Sequence, residues 1–367
     1  MCNRKRYWLL YPAALLYGAV VYLRNLLFDK GFLISEEQGI PVICVGNLSV
    51  GGTGKTPHVE YLAGILKERF NVAVISRGYG RKSRGFRIVT TESPVEETGD
   101  EPLQIALRHP EITVAVDGNR RRGIAGILRS TPSTDVVIMD DGFQHRRVKP
   151  GLSVVLTRYN NLFTDDILLP CGTLREQRRG IGRADIVVVT GAPPTITTEE
   201  AARISASAAQ NSSLKVFFTT PVYDRPQPLF PDRCRVAAPF SGAGTPPSLL
   251  LVTGIADPSS LVNYLSGLAA SIKHMRFGDH HSYRQRDFDS IAAEAKKISD
   301  RSDNYYIFTT QKDAVKLKMA KGMAPEVAER IFVIPISVTT LHDDGKQFES
   351  IITNYVQGNR RDRTVSD

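Results

Sequence analysis

One short segment constrains this chain more than any other. The string Ser49-Val50-Gly51-Gly52-Thr53-Gly54-Lys55-Thr56 follows an apolar run at residues 42–45 and precedes a helical pattern that begins near Pro57. A strand, a glycine-rich loop and a helix in this order form a P-loop, whose backbone N–H groups face phosphate oxygens at a helix N-terminus. The segment predicts that the chain binds a nucleoside triphosphate, which we interpret as ATP, for phosphoryl transfer.

All eight residues of this string are predicted to bind the cofactor. Lys55 is expected to reach the β- and γ-phosphates, which also makes it a predicted catalytic residue, and the Thr56 hydroxyl is expected to ligate Mg²⁺. Ser49 stands where the motif G-x-x-x-x-G-K-T has its first glycine. The three later glycines and the intact Gly54-Lys55-Thr56 outweigh that departure. A glycine-rich turn without a ligand is the alternative.

Short, nearly continuous apolar runs recur along the chain and predict strands. They lie at residues 42–45, 72–75, 113–116, 136–139, 153–156, 186–189, 249–253, 305–308 and 332–334. Such strands are buried on both faces, as in a parallel sheet covered by helices. The pattern predicts the α/β class: a doubly wound, mostly parallel P-loop sheet, a second, smaller α/β lobe and an N-terminal membrane-associated helix.

The composition along the chain suggests four domains or segments. They are an N-terminal membrane-associated helix at 1–32, a P-loop core at 33–235, a smaller C-terminal α/β lobe at 236–352 and a polar tail at 353–367. A proline-rich stretch at 221–247 predicts an extended connection before the smaller lobe. Within that lobe a helix is expected from about residue 287 to 300.

Two carboxylates end the apolar run at residues 136–139. They are Asp140 and Asp141. In P-loop proteins an aspartate at the end of a strand holds Mg²⁺ directly or through water, so we predict a metal site made of Asp140, Asp141 and Thr56. Asp141 has a second possible role, which is to tune the metal or to orient a catalytic group.

The N-terminus predicts contact with a membrane. Residues 7–23 carry no charge and follow the basic string Asn3-Arg4-Lys5-Arg6. As a helix they would be about 25 Å long, slightly short of a hydrocarbon core of about 30 Å. The aromatic residues at Tyr7 and Trp8 suit the interfacial layer. A spanning helix with a cytosolic P-loop would leave the basic string outside, so lying in the cytosolic leaflet is favoured; a span, a buried core helix and a signal peptide are the alternatives.

Charge and cysteine content narrow the class of protein. The formal net charge of +9, from 47 basic and 38 acidic residues, favours an anionic partner, whether nucleic acid, acidic lipid or a phosphorylated substrate. The four cysteines, Cys2, Cys44, Cys171 and Cys234, are far apart and form no C-x-x-C pair. This argues against a zinc site or a disulfide framework and suits a reducing compartment.

Spacing alone leaves the remaining polar candidates open. Asp100 lies where a glycine turn meets a helix start, where a helix cap is the alternative role. His280 and His281 are adjacent, and either could be an ordinary loop histidine. Arginines are dense around Arg77, at 120–122 and at 175–183. Guanidinium groups suit phosphate and transition-state charge, although solvated surface charge is the alternative.

Several strings together resemble the tetraacyldisaccharide 4'-kinase family, the lipid A 4'-kinases. They fall in order along the chain as Val45-Gly46-Asn47 leading into Gly51-Gly52-Thr53-Gly54-Lys55-Thr56-Pro57, Ser76-Arg77-Gly78-Tyr79-Gly80-Arg81, Gly99-Asp100-Glu101-Pro102, Asp140-Asp141-Gly142-Phe143-Gln144-His145, Leu174-Arg175-Glu176, Phe277-Gly278-Asp279-His280 and Thr310-Gln311-Lys312-Asp313-Ala314-Val315-Lys316.

The resemblance implies an activity and a place in the cell. The activity is transfer of the γ-phosphate of ATP, with Mg²⁺, to the 4'-hydroxyl of a tetraacyldisaccharide 1-phosphate. This substrate is an anionic acylated glucosamine disaccharide lipid, and its phosphorylation forms lipid IVA in lipid A biosynthesis. The place is the cytoplasmic face of a Gram-negative inner membrane. Neither a nucleic acid nor an obligate protein partner is expected.

The same resemblance assigns further residues. It implies that Asp100 is the general base, paired with His280 rather than His281. It also places Arg120, Arg175 and Glu176 near the active site. With Arg77 these form the predicted substrate or transition-state group. Gln177 stands where many relatives carry proline.

The string at residues 310–313 follows a predicted strand, and ligand-contacting loops gather at such strand ends. It resembles the base-reading Asn-Lys-x-Asp loop of GTP-binding proteins, with Thr310-Gln311 as a departure. We expect Lys312 to pack along the nucleotide and Asp313 to fix the loop near the adenine. Ordinary capping of the strand end is the alternative.

Two other functions were weighed. A membrane-bound partitioning or transport ATPase of the deviant P-loop kind carries a lysine just before the Gly-Gly-x-Gly-Lys-Thr string, where this chain has Val50. A nucleic-acid-binding module would use the positive charge, but the sequence has no zinc finger and no basic-aromatic RNA motif.

Overall fold

The computed structural model describes residues 10–209, 214–240, 245–319 and 322–360. The expectations about Asn3 to Trp8 and about the tail beyond residue 360 lie outside these residues. The chain divides into two compact units: a first unit of Met1–Ser93, Ile105–Val222 and Ser337–Asp367, and a second unit of Pro94–Gln104 and Tyr223–Ile336. This division differs from the boundaries expected from composition, because each unit is made of more than one chain segment.

The elements of the described residues follow the predicted α/β pattern. The helices are α1 (Tyr11–Asp29), α2 (Lys55–Lys67), α3 (Val95–Thr98), α4 (Asp100–Arg108), α5 (Arg120–Ser130), α6 (Thr198–Ala209), α7 (Ser259–Ser266), α8 (Gln285–Ser299), α9 (Gln311–Met319), α10 (Pro325–Ala328) and α11 (Gly345–Arg360). The strands are β1 (Val42–Asn47), β2 (Val72–Ser76), β3 (Arg87–Val89), β4 (Thr113–Val116), β5 (Val136–Asp140), β6 (Leu152–Arg158), β7 (Ile186–Thr190), β8 (Lys215–Tyr223), β9 (Gln227–Pro228), β10 (Ser248–Thr253), β11 (Ser271–Arg276), β12 (Tyr305–Thr310), β13 (Ile331–Ile334) and β14 (Ile336–Thr340).

The first unit is built on a nine-stranded sheet in the order β14-β8-β7-β6-β1-β5-β2-β4-β3. The neighbours from β8 to β4 run parallel, and β3 runs antiparallel to β4. Strands β1, β2, β5 and β7 are buried at every residue, as their continuous apolar sequences predict. The predicted mostly parallel P-loop sheet is confirmed.

The register of the two central strands positions the candidate site. Strand β1 pairs with β5 so that Val45 lies opposite Asp140. The carboxyl ends of parallel strands meet at one edge of a sheet. The loop that follows β1 and the carboxylates that follow β5 therefore share this edge.

The second unit has its own five-stranded sheet, in the order β11-β10-β12-β13-β9. Strands β11, β10, β12 and β13 run parallel, and β9 is antiparallel to β13. Strand β9 lies in the proline-rich stretch, at the sheet edge, where a missing proline N–H costs no ladder hydrogen bond. Helix α8 (Gln285–Ser299) occupies the position expected for a helix in the smaller lobe.

The final helix returns to the first unit. Helix α11 continues to Arg360, with Ile352 and Val356 fully buried. The polar tail therefore does not begin at residue 353, because residues up to 360 belong to a packed amphipathic helix. The Tyr355 hydroxyl donates to the Val42 carbonyl oxygen at 3.2 Å and accepts from the Val42 N–H at 3.1 Å, which fixes α11 to the start of β1.

Helix α1 has one packed side and one apolar exposed side. Ala14, Gly18 and Phe28 are buried, whereas Leu16 is 69% and Val20 60% exposed. A Cβ atom at position 18 would approach Leu168 Cδ1 to 2.9 Å, so a glycine permits the close packing. Among the described residues α1 is the one helix whose length and composition would allow it to cross a membrane. The alternative of a buried core helix is excluded for α1, because most of its apolar surface is exposed.

Polar side chains attach α1 to the loops of the first unit. The Tyr17 hydroxyl donates to the Arg175 carbonyl oxygen at 2.7 Å, and the Asn25 amide donates to Glu176 Oε2 at 3.1 Å. Near the helix end, Arg146 pairs with Asp29 at 2.6 Å. Two of these contacts join α1 directly to the predicted site residues Arg175 and Glu176.

Candidate active site

The glycine-rich loop lies between a strand and a helix, as predicted, and its contact with phosphate stays a prediction. Residues 48–54 connect β1 to α2, and α2 begins at Lys55. Gly51 has φ +99° and Gly54 has φ +79°. These conformations favour glycine because a residue with a Cβ atom would be strained in them. The Asn47 side-chain amide donates to Thr53 Oγ1 at 2.8 Å, and Arg158 Nε donates to the Gly52 carbonyl at 2.7 Å. Side chains of this unit thus hold the loop open around its backbone N–H groups.

The substitution of glycine by Ser49 has a local explanation. Positive φ angles outside glycine occur in the described residues at Asp141, Phe240, His280, His342 and Asp343, so Ser49 has an ordinary backbone conformation. Ser49 is buried and forms an isolated bridge with Leu174, while the Val50 N–H donates to the Thr173 carbonyl at 2.7 Å. The first position of this loop is held by backbone pairing and needs no glycine.

Asp141 lies between two predicted cationic groups. Its carboxylate is 3.6 Å from Lys55 Nζ and 3.1 Å from Arg175 Nη1. Burial raises the pKa of the Asp141 carboxyl, but the Lys55 ammonium and the Arg175 guanidinium lower it, and the net shift is downward. Lys55, Asp141 and Arg175, all predicted site residues, therefore lie together in the structure. The positive charges of Lys55 and Arg175 keep the Asp141 carboxylate ionised.

Asp140 is buried beside Asp141. Ser76 Oγ donates to Asp140 Oδ2 at 2.8 Å. The Thr56 hydroxyl lies at the start of α2, at the same sheet edge. Two carboxylates and a hydroxyl are the hard oxygen ligands that Mg²⁺ prefers, and Mg²⁺ usually completes its shell with phosphate oxygens and water. The donor set therefore fits Mg²⁺ without a cluster of three acidic, histidine or cysteine side chains, and the described residues contain none.

The three arginines of the predicted substrate group differ in burial and in hydrogen-bond partners. Arg120 is buried, and its guanidinium donates to the carbonyl oxygens of Asp117 at 2.8 Å and Asp140 at 3.1 Å. Arg77 follows β2 and is exposed. The geometry makes Arg120 a support for the end of β5, whereas Arg77 has a guanidinium available to solvent. Arg175, the third, is the residue that contacts Asp141.

Glu176, the remaining member, is enclosed in a network. It is 2% exposed and accepts hydrogen bonds from Gln144 at 2.9 Å, from Asn25 at 3.1 Å and from Arg183 at 2.5 Å. Gln144 Nε2 also donates to the Asn47 carbonyl at 2.8 Å. Glu176 thus connects α1, the loop after β5 and the segment that carries Arg175. Its predicted contact with substrate stays a prediction.

The second unit brings together the predicted base and its partner. Asp100 starts α4 and is 3% exposed. His280, which has φ +57°, places Nδ1 3.0 Å from Asp100 Oδ2. Lys316 Nζ lies 2.9 Å from the same oxygen. Burial raises the pKa of the Asp100 carboxyl, but the His280 hydrogen bond and the Lys316 ammonium outweigh it and hold the pKa far below its usual range.

Lys312 and Asp313 lie in this unit as well. Lys312 Nζ contacts Asp279 Oδ1 at 2.9 Å and His280 Nε2 at 3.1 Å. Asp313 is fully buried and accepts from the Gly254 N–H at 2.8 Å and from the Thr310 hydroxyl at 2.7 Å. The Asp313 contacts match the alternative, capping at the end of β12. The predicted nucleotide contact of both side chains stays a prediction.

Several contacting residues were present in the quoted strings without an assigned role. Lys316 ends the string at 310–316, and Gln144 follows the paired aspartates. Arg183 belongs to the arginine-dense stretch at 175–183 but had no individual role, and Asn25 lay outside every motif. Their polar side chains gave no local signal, because each acts on a residue distant in the sequence.

The fold and the first unit's site define a class. A glycine-rich loop between a buried parallel strand and a helix, with paired aspartates at the end of the adjacent strand, is the arrangement of P-loop nucleotide-binding proteins. The phosphoryl group of a bound nucleotide is the group such a site can stabilise and transfer.

Comparison with known proteins identifies the family within that class. The family model described as Tetraacyldisaccharide-1-P 4'-kinase, LpxK, matches residues 6–357. The chain is 42% identical to the tetraacyldisaccharide 4'-kinase of Bacteroides thetaiotaomicron over 98% of this chain and 95% of that protein. It is 41% identical to that of Phocaeicola vulgatus, over 97% of each chain. The chain belongs to the tetraacyldisaccharide 4'-kinase family.

A solved structure agrees with this assignment. LpxK from Aquifex aeolicus, crystallised in complex with ATP, is 29% identical and superposes with a TM-score of 0.71 over 95% of this chain and 99% of that one.

Proposed function

We propose that this protein transfers the γ-phosphate of ATP to the 4'-hydroxyl of a tetraacyldisaccharide 1-phosphate and so forms lipid IVA in lipid A biosynthesis. The observation that carries the proposal is the family match over residues 6–357, which includes an intact Gly54-Lys55-Thr56 at the start of α2. Val50, at the position of the deviant-loop lysine, disfavours a partitioning ATPase.

The first unit supplies the groups that would bind the nucleotide. Backbone N–H groups of residues 49–54 and the Lys55 ammonium would hold the phosphates, while Thr56, Asp140 and Asp141 would hold Mg²⁺. When bound, Mg²⁺ neutralises phosphate charge and orients the transferred group. Arg175, which pairs with Asp141 at 3.1 Å, adds positive charge where negative charge develops during transfer.

The second unit supplies the proposed base. Asp100 would accept the proton of the 4'-hydroxyl as the bond from that oxygen to the γ-phosphorus forms. The bond between the γ-phosphorus and the bridging oxygen of ADP breaks in the same transfer, and ADP leaves. The low pKa of Asp100 keeps its carboxylate ionised, while His280 and Lys316 hold the carboxylate in one orientation.

The acceptor and the exposed side of α1 have matching chemistry. A four-chain lipid is scarcely present in water, and the apolar residues Leu16 and Val20 of α1 face away from the protein. The net charge of +9 suits the lipid's 1-phosphate and an anionic leaflet. We therefore propose that the protein works at the cytoplasmic face of the inner membrane.

The attachment of α1 supports a helix that lies in the leaflet. Tyr17, Asn25 and Asp29 are held by the first unit, and they span about 18 Å of helix at about 1.5 Å per residue. A helix held along that length by one folded unit has little free length with which to cross a bilayer.

The test is product analysis. Purified protein in detergent would be incubated with ATP, Mg²⁺ and tetraacyldisaccharide 1-phosphate, and the lipid examined by mass spectrometry. We expect the lipid to gain one phosphate group at the 4'-position, and Asp100→Asn to slow this by about 10²- to 10⁴-fold. ATP turnover without lipid phosphorylation, or only with a second protein, would contradict the proposal, as would salt-sensitive DNA binding without lipid phosphorylation.

A further inference from the structure

Lys312 has a setting that neither the family assignment nor the proposed reaction explains. It lies in the first turn of α9, directly after β12. Its ammonium is 2.9 Å from Asp279 Oδ1, 3.1 Å from His280 Nε2 and 3.6 Å from Glu101 Oε1. Its side chain is 16% exposed. A largely enclosed lysine thus has two acidic partners and one nitrogen of the histidine that contacts Asp100.

Hydrogen-bond chemistry decides which nitrogen of His280 carries the proton. A lysine ammonium has three donors and no acceptor. His280 Nε2 is 3.1 Å from that ammonium and 3.8 Å from Asp279 Oδ2, which is beyond hydrogen-bond distance, so in the hydrogen bond at Nε2 the ring nitrogen accepts. In a neutral imidazole the other nitrogen is then the donor, and Nδ1 lies 3.0 Å from Asp100 Oδ2, an acceptor.

We propose that Lys312 is a positioning residue for the proton transfer: it fixes His280 as the neutral tautomer protonated at Nδ1, which orients the Asp100 carboxylate. This inference rests on the proposed function, in which Asp100 accepts the substrate proton. With both His280 nitrogens engaged, the proton of the acceptor hydroxyl goes to the Asp100 carboxylate. His280 then acts through Asp100.

The electrostatic surroundings agree with a lysine that remains charged. Burial lowers the pKa of Lys312, but Glu101, Asp279 and Asp100 raise it, and the net shift is upward. The positive charge is what makes the ammonium a donor only, so a charged Lys312 favours the tautomer in which Nε2 carries no proton.

The proposal gives Lys312 a role different from nucleotide contact, and kinetics separate the two. A nucleotide-binding lysine contributes to the KM for ATP, whereas a residue that orients the base contributes to kcat. Lys312→Met keeps the aliphatic stem and removes the charge. Lys312→Arg keeps a cationic donor. Lys318→Met is the matched control, because Lys318 lies on the same helix and is exposed.

The experiment combines nitrogen NMR and steady-state kinetics on the full chain. Histidine side chains would be labelled with ¹⁵N, and His280 assigned by comparison with His280→Gln. We expect the wild-type His280 to show a protonated Nδ1 and a bare Nε2, and Lys312→Met to change that distribution. We expect kcat to fall about 10²-fold in Lys312→Met, with the KM for ATP changed less than about twofold, and Lys312→Arg to recover part of kcat.

Two outcomes would overturn the proposal. One is a wild-type His280 protonated at Nε2. The other is a raised KM for ATP in Lys312→Met with kcat retained, which would return Lys312 to the nucleotide. Circular dichroism of each variant checks folding, and Lys312→Arg remains informative if Lys312→Met unfolds. The NMR readout needs no substrate, so it decides the tautomer even if the wild-type protein phosphorylates no lipid, in which case the proposed function alone fails.

Discussion

Mutation of Lys55 or Thr56 is the most direct test of the proposed reaction. The Lys55 ammonium lies 3.6 Å from Asp141, at the first turn of α2. We expect Lys55→Met and Thr56→Ala each to reduce lipid phosphorylation at least about 10²-fold, because each removes a contact to phosphate or Mg²⁺. Initial rates with radiolabelled ATP would measure this.

Lys67→Met provides the matched control for Lys55. Lys67 is at the other end of the same helix and pairs with Glu111 on the surface. It should keep wild-type turnover. Full activity in both Lys55→Met and Thr56→Ala would remove the P-loop from the catalytic site.

His145 makes the stability of the fold depend on pH. Burial lowers its pKa to about 4, and the nearby Arg120 and Arg24 guanidinium groups act in the same direction. An unfolded histidine titrates near 6.5, so the unfolded chain binds the proton first as the pH falls. The free energy of unfolding should therefore decrease between about pH 6.5 and pH 4, by on the order of 2 kcal/mol after allowance for partial exposure.

Chemical denaturation at a series of pH values would measure this dependence. His145→Gln keeps an acceptor for the Arg120 N–H, which faces His145 Nε2 at 3.4 Å, and removes the titration. Its loss of stability below pH 6.5 should be smaller than that of the wild type. Equal slopes in both proteins would show that His145 does not carry the effect.

At the residue scale, the sequence predicted side chains placed by contiguous elements and missed contacts between segments that are far apart in the chain. Lys55 and Thr56 were predictable because the loop and helix that place them are contiguous. Asp100 and His280 are 180 residues apart, and only the family resemblance paired them. The enclosure of Glu176 and the Lys312 contact with His280 depend on packing between separate segments, which no spacing encodes.

Among the elements, helix α1 best separates the membrane hypothesis from ordinary packing. Deleting residues 1–27 would remove the exposed apolar side, but it would also remove Tyr17 and Asn25, which bond to the Arg175–Glu176 segment. The double variant Leu16→Glu/Val20→Glu changes the exposed side alone. We expect it to weaken liposome binding at least about 10²-fold, because each buried aliphatic side chain contributes about 1.5–3 kcal/mol.

Liposome flotation with anionic vesicles would measure the binding. Leu107→Glu, at a residue that is 39% exposed on α4, is the control for a surface charge elsewhere. Unchanged flotation of the double variant would place the membrane contact outside the exposed side of α1.

The elements themselves were largely predictable. Every predicted strand is present. Continuous apolar runs such as residues 136–139 and 186–189 are stable only when both faces are buried, as they are in a parallel sheet covered by helices. Five strands were missed, namely β3, β8, β9, β11 and β14. None of them is buried along its whole length, so none carries the continuous apolar run on which the prediction relied. The reach of α11 to Arg360 was missed because its buried residues are spaced by helical period among polar neighbours.

At the scale of the whole molecule, the first unit depends on a contact between distant segments. Tyr355 of α11 bonds to both polar backbone atoms of Val42, 313 residues earlier. We expect Tyr355→Phe to lower the free energy of unfolding by about 1–3 kcal/mol, because it removes both bonds and leaves a buried N–H without its acceptor. Hydrogen exchange of the β1 amides should accelerate accordingly.

Tyr264→Phe is the control for loss of a hydroxyl, because Tyr264 is 38% exposed in the second unit. It should change stability by less than about 0.5 kcal/mol, as is usual for surface substitutions. Equal exchange of β1 in Tyr355→Phe and the wild type would mean that α11 is held by its apolar residues alone.

The way α11 closes on β1 also has a consequence for biosynthesis. A ribosome delivers β1 and the phosphate loop early, but the helix that bonds to Val42 leaves the exit tunnel only after residue 360 has been made. The five strands of the second sheet all come from the continuous segment of residues 223–336, so they can pair while translation continues. Eight of the nine strands of the first sheet also precede residue 224, but β14 and α11 follow the second unit in the chain. The unit whose first strand is synthesised earliest is therefore the one that is completed last.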